Sequence, residues 1–399
     1  MKILFITQLL PYPPYTGGKC KTFSILKILA KSHQVHLVTF HTRKIDLEQI
    51  KKLEALLNIK VKSFFHPLVT APSKDIKFTA FKSIFSNKPF RVYKYFHLPM
   101  AQYLSNLTQK IRFDQFHLDH NTSIQYLPNL NNSSQNSVFY HEHNINSIAM
   151  LRMFRYSRRH PISRLFILLD ALKNYFYEKR IVKEVPKILA ISPTDRQLLI
   201  KRGALKKSTQ VLPTPFTPKP LFKYSTSSPT IIIIGLMSWA PNKIGTLWFG
   251  NYVYPIIKQS IPNCKLFIIG PNPCRNIFNL EQTDPSITVT DKVDSLDPYY
   301  QKANLLVAPV PFGSGIRIKI LHALASGVPI VSTPIGAEGI NPRKKNGVII
   351  APYQTQPFAK AVIKLMSNKK NSLKLSQQGL NLIKNYYSEN QSSKILLKF

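Results

Sequence analysis

Gly313-Ser314-Gly315-Ile316-Arg317-Ile318-Lys319-Ile320-Leu321-His322-Ala323-Leu324-Ala325-Ser326-Gly327-Val328-Pro329 is the stretch on which the fold turns. It follows Leu305 to Pro309, which reads as a buried strand, and runs into another at Pro329 to Ser332. A Gly-Ser-Gly turn between strand and helix leaves first-turn N–H groups and the positive end of the helix dipole open to an anion, with no Cβ in the way. Lys319 adds a point charge to that helix. His322 lies three residues on and shares the face of Lys319, while Ile318, Leu321 and Ala325 form the packing side. Gly313, Ser314 and Gly315 are therefore a candidate phosphate cradle in a parallel α/β sheet.

The same alternation runs in both directions from this stretch. Lys2 to Thr7 (KILFIT) reads as a strand, Cys20 to Ser32 as an amphipathic helix, and Gln34 to Phe40 as the next strand. That βαβ unit predicts a right-handed parallel connection. Val61 to Phe65, Phe113 to Leu118, Ser137 to His141 and Ile188 to Ile191 continue the first series. Four prolines among small polar residues mark Pro213 to Ser228 as a linker. A second series then opens with Thr230 to Gly235 (TIIIIG), a helix over Lys243 to Ser260, and Lys265 to Gly270 (KLFIIG), followed by Ile287 to Val293. Runs that are apolar on both faces suit central parallel strands. The expected organisation is an N-terminal α/β domain over 1–212, a linker over 213–228, a second α/β domain over 229–375, and a C-terminal helix over 376–399 that returns to the first domain. Ligands are expected in the intervening cleft, at the carboxyl ends of the strands.

Glycine is sparse and clumped. The chain has 14, and residues 1–202 hold two, Gly17 and Gly18, between the first strand and the first helix. Paired glycines there let backbone N–H groups approach an anion. The pattern is not GxGxxG, and no acidic residue ends the next strand, so a dinucleotide site is not expected. His141 and His143 follow the strand SVFYHEHN with Glu142 between them.

Composition narrows the classes further. Of 399 residues, 55 are Lys or Arg and 18 are Asp or Glu, a formal charge of +37, and 44% are hydrophobic. That apolar content supports a core and excludes a disordered basic tail. The charge admits nucleic acid, an anionic membrane or an acidic substrate as partners, but no zinc finger, RNA-binding aromatic signature or basic heptad helix accompanies it. No nucleic-acid partner is expected. Three cysteines, Cys20, Cys264 and Cys274, make neither a disulfide framework nor a zinc site and point to a reducing compartment. No apolar run approaches the ~20 residues of a membrane-spanning helix, and the N-terminal apolar stretch reads as a buried strand rather than a signal peptide.

Together these stretches resemble a GT-B glycosyltransferase of the retaining glycosyltransferase family 4. The resemblance is carried by Gly235-Leu-Met237 with Pro241-Asn242, Ile269-Gly270-Pro-Asn-Pro273, Asp291-Lys-Val293 through Asp297-Pro-Tyr299 and Ala303, then Gly315, Lys319 and Gly327-Val-Pro329. Pro11-Tyr-Pro13, Gly17-Gly18, His141-Glu-His143-Asn144 and Tyr386-Tyr387-Ser388 fit more loosely. The order and spacing span nearly the whole chain. The resemblance implies two Rossmann-like, doubly wound parallel-sheet domains facing across a cleft, with a nucleotide diphosphate sugar as donor substrate on the C-terminal side and an acceptor on the N-terminal side. No cofactor and no metal are implied. Lys319 and the N–H groups of Gly313 to Gly315 would stabilise the charge that grows on the leaving diphosphate. His143 is the candidate catalytic histidine. Gly17, Gly18, Gly235, Lys243, Gly313, Ser314, Gly315, Arg317 and His322 are candidate donor-binding residues, with Arg317 a second cation that could instead face solvent.

Two departures stand out. The family carries glutamates eight positions apart where this chain has Ser314 and His322. A neutral histidine accepts one hydrogen bond where a carboxylate accepts more, so weakened or altered donor binding is expected. The basic residue that often follows the first C-terminal strand is replaced by Leu236, with Lys243 an approximate substitute. The expected acceptor is a surface glycan or lipid-linked chain at the cytoplasmic membrane face. The basic, aromatic segments Arg152 to Lys187 and Lys60 to His97 suit an anionic membrane surface. A degenerate member that binds a glycan or partner without catalysis is the alternative, and a nucleotide-sugar epimerase on the same fold is a further one.

Overall fold

β1 (Lys2–Thr7) is buried along almost its whole length and forms the middle of a seven-stranded parallel sheet. Its alternation explains why. Ile3 and Phe5 enter one apolar layer, with Ile25, Leu26, Leu29 and Leu37, while Leu4 and Ile6 enter the opposite layer, with Val38, Leu104, Phe116 and Tyr140. A strand covered on both faces is read as an unbroken apolar run. The other strands are β2 (Gln34–His41), β3 (Lys60–Phe65), β4 (Gln115–Asp119), β5 (Val138–His141), β6 (Lys187–Ala190) and β7 (Thr209–Val211). Their order is β3-β2-β1-β4-β5-β6-β7, and every neighbouring pair is parallel.

The second sheet contains β8 (Thr230–Ile234), β9 (Lys265–Ile269), β10 (Ile287–Val289), β11 (Leu305–Ala308), β12 (Ile330–Ser332) and β13 (Val348–Ile350). The order is β10-β9-β8-β11-β12-β13, again all parallel. Ile231 and Ile233 of β8 pack with Phe249, Tyr254, Leu266 and Phe358 in the core of this unit. Both sheets reverse direction once, between β1 and β4 in the first and between β8 and β11 in the second. Such switch points leave a crevice beyond the strand carboxyl ends, where doubly wound sheets hold ligands.

This computed structural model describes residues 1–42, 45–67, 73–131, 137–156, 160–340 and 346–399. It divides into Met1–Thr214 with Ser392–Phe399, and Pro215–Gln391. The proline-rich segment 213–228 is not a free linker. Lys219 N–H donates to Ala325 O at 2.8 Å, and the N–H groups of Leu221 and Phe222 donate to Ser326 O, so the segment lies along the second unit. The chain also returns to the first unit later than residue 376. The helix Lys369–Tyr386 stays on the second unit because Gly379 lets it close on Leu324 and Gly347, with a Cβ at Gly379 falling 2.8 Å from Leu324 Cδ2. The helix Glu389–Lys398 joins the first unit from Ser392 on, where Leu396 enters its core and Ser392 donates to Pro213 O at 2.9 Å.

Candidate functional site

In the second unit, four segments converge beyond the carboxyl ends of β8 and β11. Gly235 and Leu236 follow β8. Trp239 and Asn242 come from the start of the helix Ala240–Trp248, Gly313 to Arg317 follow β11, and Lys319 opens the helix Ile318–Ala325. Asn242 is the bracket. Its Nδ2 donates to Leu236 O at 3.0 Å, and its Oδ1 accepts from Lys319 Nζ at 2.9 Å. Glycine is required at 235 because a Cβ there would lie 2.5 Å from Asn242 Nδ2. Gly313 and Gly315 adopt left-handed backbone, with φ of 123° and 79°, which a side chain would strain. A Cβ at Gly313 would meet Arg317 Nη2 at 2.8 Å.

The charge in this crevice is positive. Arg317 is buried, donates from Nη1 to Ser314 O at 2.5 Å, and lies over the Trp239 ring at 5.2 Å. Burial first, and Arg317 second, push the Lys319 ammonium down from 10.5 to about 7. Two enclosed cationic side chains beside a turn of left-handed glycines favour an anion at that position.

The first unit builds a different cluster. β4 and β5 pair in register, Asp119 opposite His141, which brings the two strand ends together. Asp119 is fully buried. Its Oδ2 accepts from the hydroxyls of Thr7 at 2.8 Å and Thr22 at 2.7 Å, and its Oδ1 meets His143 Nε2 at 2.6 Å. His120, held at φ 67°, stacks on His143 with ring centroids 3.6 Å apart. Burial drives both imidazoles well below 6.5, so they are neutral; His143 depresses His120 further, and Lys21 and Arg91 depress His143 further. The helix Gly17–Ala30 starts against these rings. A Cβ at Gly18 would sit 3.4 Å from His120 Cε1 and 3.9 Å from His143 Nδ1. Lys21, one turn on, is buried and donates to Glu142 O at 2.5 Å, with burial lowering its ammonium to about 8. Asp119, His120 and His143 also have the donor types and spacing of a metal-ligand trio, with donor atoms within 4.8 Å of one another. The short His143–Asp119 hydrogen bond already accounts for that spacing.

Against this geometry the comparisons are specific in the second unit. Residues 228–368 match the family model described as Glycosyl transferases group 1. These residues resemble a group 1 glycosyl transferase domain. A 44.6 kDa protein of the cps region of Klebsiella pneumoniae is 25% identical over 209 residues, which is 49% of this chain and 53% of that protein. The poly(glycerol-phosphate) alpha-glucosyltransferase of Bacillus subtilis is 25% identical over 143 residues, 34% of this chain and 21% of that protein. The alignments thus span about half of one curated relative and a fifth of the other. A crystal structure of Anabaena HepE, in complex with UDP and glucose, superposes with a TM-score of 0.66 at 13% identity, over 100% of this chain and 98% of that one. The fold is GT-B.

Within the matched segment, Gly235, Gly313, Ser314, Gly315, Arg317 and Lys319 come together as the sequence suggests. Arg317 is the correction: it is enclosed by Trp239 and the Gly313 turn and does not face solvent. Lys243 is half-buried on its helix, and the contacts to Lys319 run through its neighbour Asn242 instead. His322 is part-buried and packs edge-on against Phe216 at 4.7 Å. Burial lowers its imidazole, against an opposing pull from Asp297. In the first unit, Gly17 and Gly18 open the helix that meets His143. His141 points back into the sheet, 2.8 Å from His117 Nδ1, leaving His143 as the histidine of the strand-end cluster. Asn242, Trp239, Asp119, His120 and Lys21 were not singled out as site residues from sequence. The doublets Asp119-His120 and His141-Glu-His143 at consecutive strand ends were the signal available.

Proposed function

We propose that this protein is a retaining glycosyltransferase that moves a hexose-type unit from a nucleotide diphosphate sugar to a surface-glycan or lipid-linked acceptor. The observation that carries the reading is the enclosed Lys319–Arg317 pair at the mouth of the Gly313–Gly315 turn, inside the segment that matches the group 1 family. Loss of a nucleoside diphosphate builds negative charge on the leaving oxygen. Cations and N–H groups fixed in advance around that position lower the barrier without having to reorganise. Lys319 takes the diphosphate charge, Arg317 supports it, and Asn242 aims Lys319. Gly235, Gly313, Ser314 and Gly315 give the donor close access to backbone, and Lys243 and His322 contribute at the rim. The first unit takes the acceptor, with His143 held neutral by burial and oriented by Asp119, and with Gly17 and Gly18 opening the helix that starts against its ring. The Anabaena protein's complex with UDP and glucose and the likeness to the Bacillus poly(glycerol-phosphate) alpha-glucosyltransferase support a sugar nucleotide as donor. No metal ion or cofactor is part of this reading.

Thermal shift against a panel of nucleotide sugars and nucleoside diphosphates tests it, because a ligand of the folded state raises apparent stability. At least one diphosphate should shift the wild type and leave Lys319→Met unmoved. A flat response to the whole panel would remove the donor site. The second reading, binding of a glycan or partner without turnover, draws on His322 standing where the resembling family keeps a glutamate and packing on Phe216. A large gain in turnover for His322→Glu would mean the native site is impaired.

A further inference from the structure

The helix Pro161–Glu184 carries a row of exposed apolar side chains that nothing among the described residues covers. Ile162, Leu165, Leu169, Leu172 and Phe176 follow one another at spacings of three, four, three and four residues. Ile162 is 73% exposed, Leu165 57% and Phe176 66%. At 1.5 Å per residue the row is about 21 Å long. Helical residues at that spacing share a face that is normally buried. A second exposed group, Phe78, Phe81, Ile84 and Phe85, lies on and just after the helix Ser73–Ile84. The two meet at Lys173, whose Nζ donates to Ser83 O at 2.7 Å and Ile84 O at 2.9 Å.

The charges around this surface have one sign. Lys77, Lys82, Arg164, Lys179, Arg180 and Lys183 are exposed on the two helices. Among the acids, Asp170 is turned inward to Phe90 N–H, Glu178 is buried with Arg202 and Ser147, and Glu184 is paired with Arg180. Asp75 is the one described acid left at the surface without a partner of this kind. Arg158 and Arg159, also part of the basic run seen in the sequence, lie outside the described residues, as do 68–72 of the earlier basic segment.

We infer that this two-helix face seats the protein on an anionic lipid surface. Apolar side chains rimmed by cations match the layering of such a surface, acyl chains beneath phosphate headgroups. A second copy of the chain is the poorer occupant, since a twofold pairing through the same face would set its cations against each other. The inference stands apart from glycosyl transfer, because it uses no residue of either strand-end cluster.

Co-sedimentation of the full chain with vesicles tests it. The wild type should pellet with phosphatidylcholine vesicles containing 30% phosphatidylglycerol at low salt, and stay in solution with pure phosphatidylcholine. Raising the salt should release it. Leu165→Ser/Leu172→Ser/Phe176→Ser changes exposed positions only and should remain folded by circular dichroism while losing membrane binding. Arg164→Glu/Lys179→Glu should lower partitioning by at least about fivefold for each charge removed. Wild-type protein left in the supernatant with anionic vesicles at low salt would overturn the inference. So would a triple-serine variant that pellets like the wild type, or a wild-type dimer in vesicle-free solution that this variant dissociates.

Discussion

Lys319 and Asn242 are joined by a 2.9 Å hydrogen bond from Nζ to Oδ1, and the same amide is fixed at its other end by Leu236 O at 3.0 Å. A neutral partner aims the ammonium without neutralising it. Replacing that partner by a carboxylate separates the two effects. Asn242→Asp gives Lys319 a counter-charge but loses the hydrogen bond to Leu236 O, which a carboxylate cannot donate, so the melting temperature of the free protein should change little near neutral pH. It should weaken nucleoside diphosphate binding by on the order of tenfold or more, since the added carboxylate repels the diphosphate. Differential scanning calorimetry and titration calorimetry on the same variant check both outcomes.

The pH dependence follows from the depressed ammonium. Its folded value of about 7 lies below its ordinary 10.5, so between these values the unfolded chain holds a proton that the folded chain does not. The burial penalty is therefore full below about pH 7 and is relieved as pH rises from 7 toward 10.5. A bound diphosphate restores the proton. Binding near pH 8 should take up protons, seen as a buffer-dependent enthalpy, and affinity should fall as pH rises through the neutral range. Lys319→Met should abolish the proton uptake and raise stability at pH 6–7.

Gly235→Ala probes the close approach on which the bracket depends. Its Cβ would arrive 2.5 Å from Asn242 Nδ2, and Asn242 is tied at both ends, so the amide must move. Overpacking of this kind costs about 1–3 kcal/mol. Urea unfolding should show that loss, together with a nucleotide response close to that of Lys319→Met. Gly18→Ala, with its nearest contact at 3.4 Å, should fold normally and serve as the control glycine.

In the first unit, Asp119→Ala would leave the hydroxyls of Thr7 and Thr22 and the ring of His143 without their buried acceptor. Stability should fall by about 3 kcal/mol or more. Asp119→Asn should cost less, because a change of His143 tautomer lets it accept from the amide. Nitrogen shifts of labelled histidine would register that change.

Much of the scaffold was legible because central parallel strands are apolar on both faces. TIIII and KLFII admit few other readings, and Thr230–Ile234 and Lys265–Ile269 fall where those runs lie. The edge strands Thr209–Val211 and Val348–Ile350 were not legible: three residues are too few for any period to show, and all but Thr209 are partly exposed. The overlong reading of Ile287 to Val293 has the same origin, since the apolar alternation continues past Val289 into a loop. At the site, the glycines and Lys319 could be found because they lie in the short stretches between a strand end and the first turn of the next helix. Asn242 and Asp119 could not. Asn242 acts through contacts 6 and 77 residues away, and Asp119 is defined by the register that sets it opposite His141. Such roles belong to the folded chain.

Release of nucleoside diphosphate from a panel of nucleotide sugars that includes UDP-glucose, measured for the wild type and for Lys319→Met with and without a lipid-linked or polymeric glycan acceptor, tests the glycosyl-transfer reading most directly. The wild type should release diphosphate from at least one donor, faster when an acceptor is present, and Lys319→Met should lose that release by two orders of magnitude or more, roughly the weight of one electrostatic stabiliser. No release from any donor, or undiminished release by Lys319→Met, would contradict it.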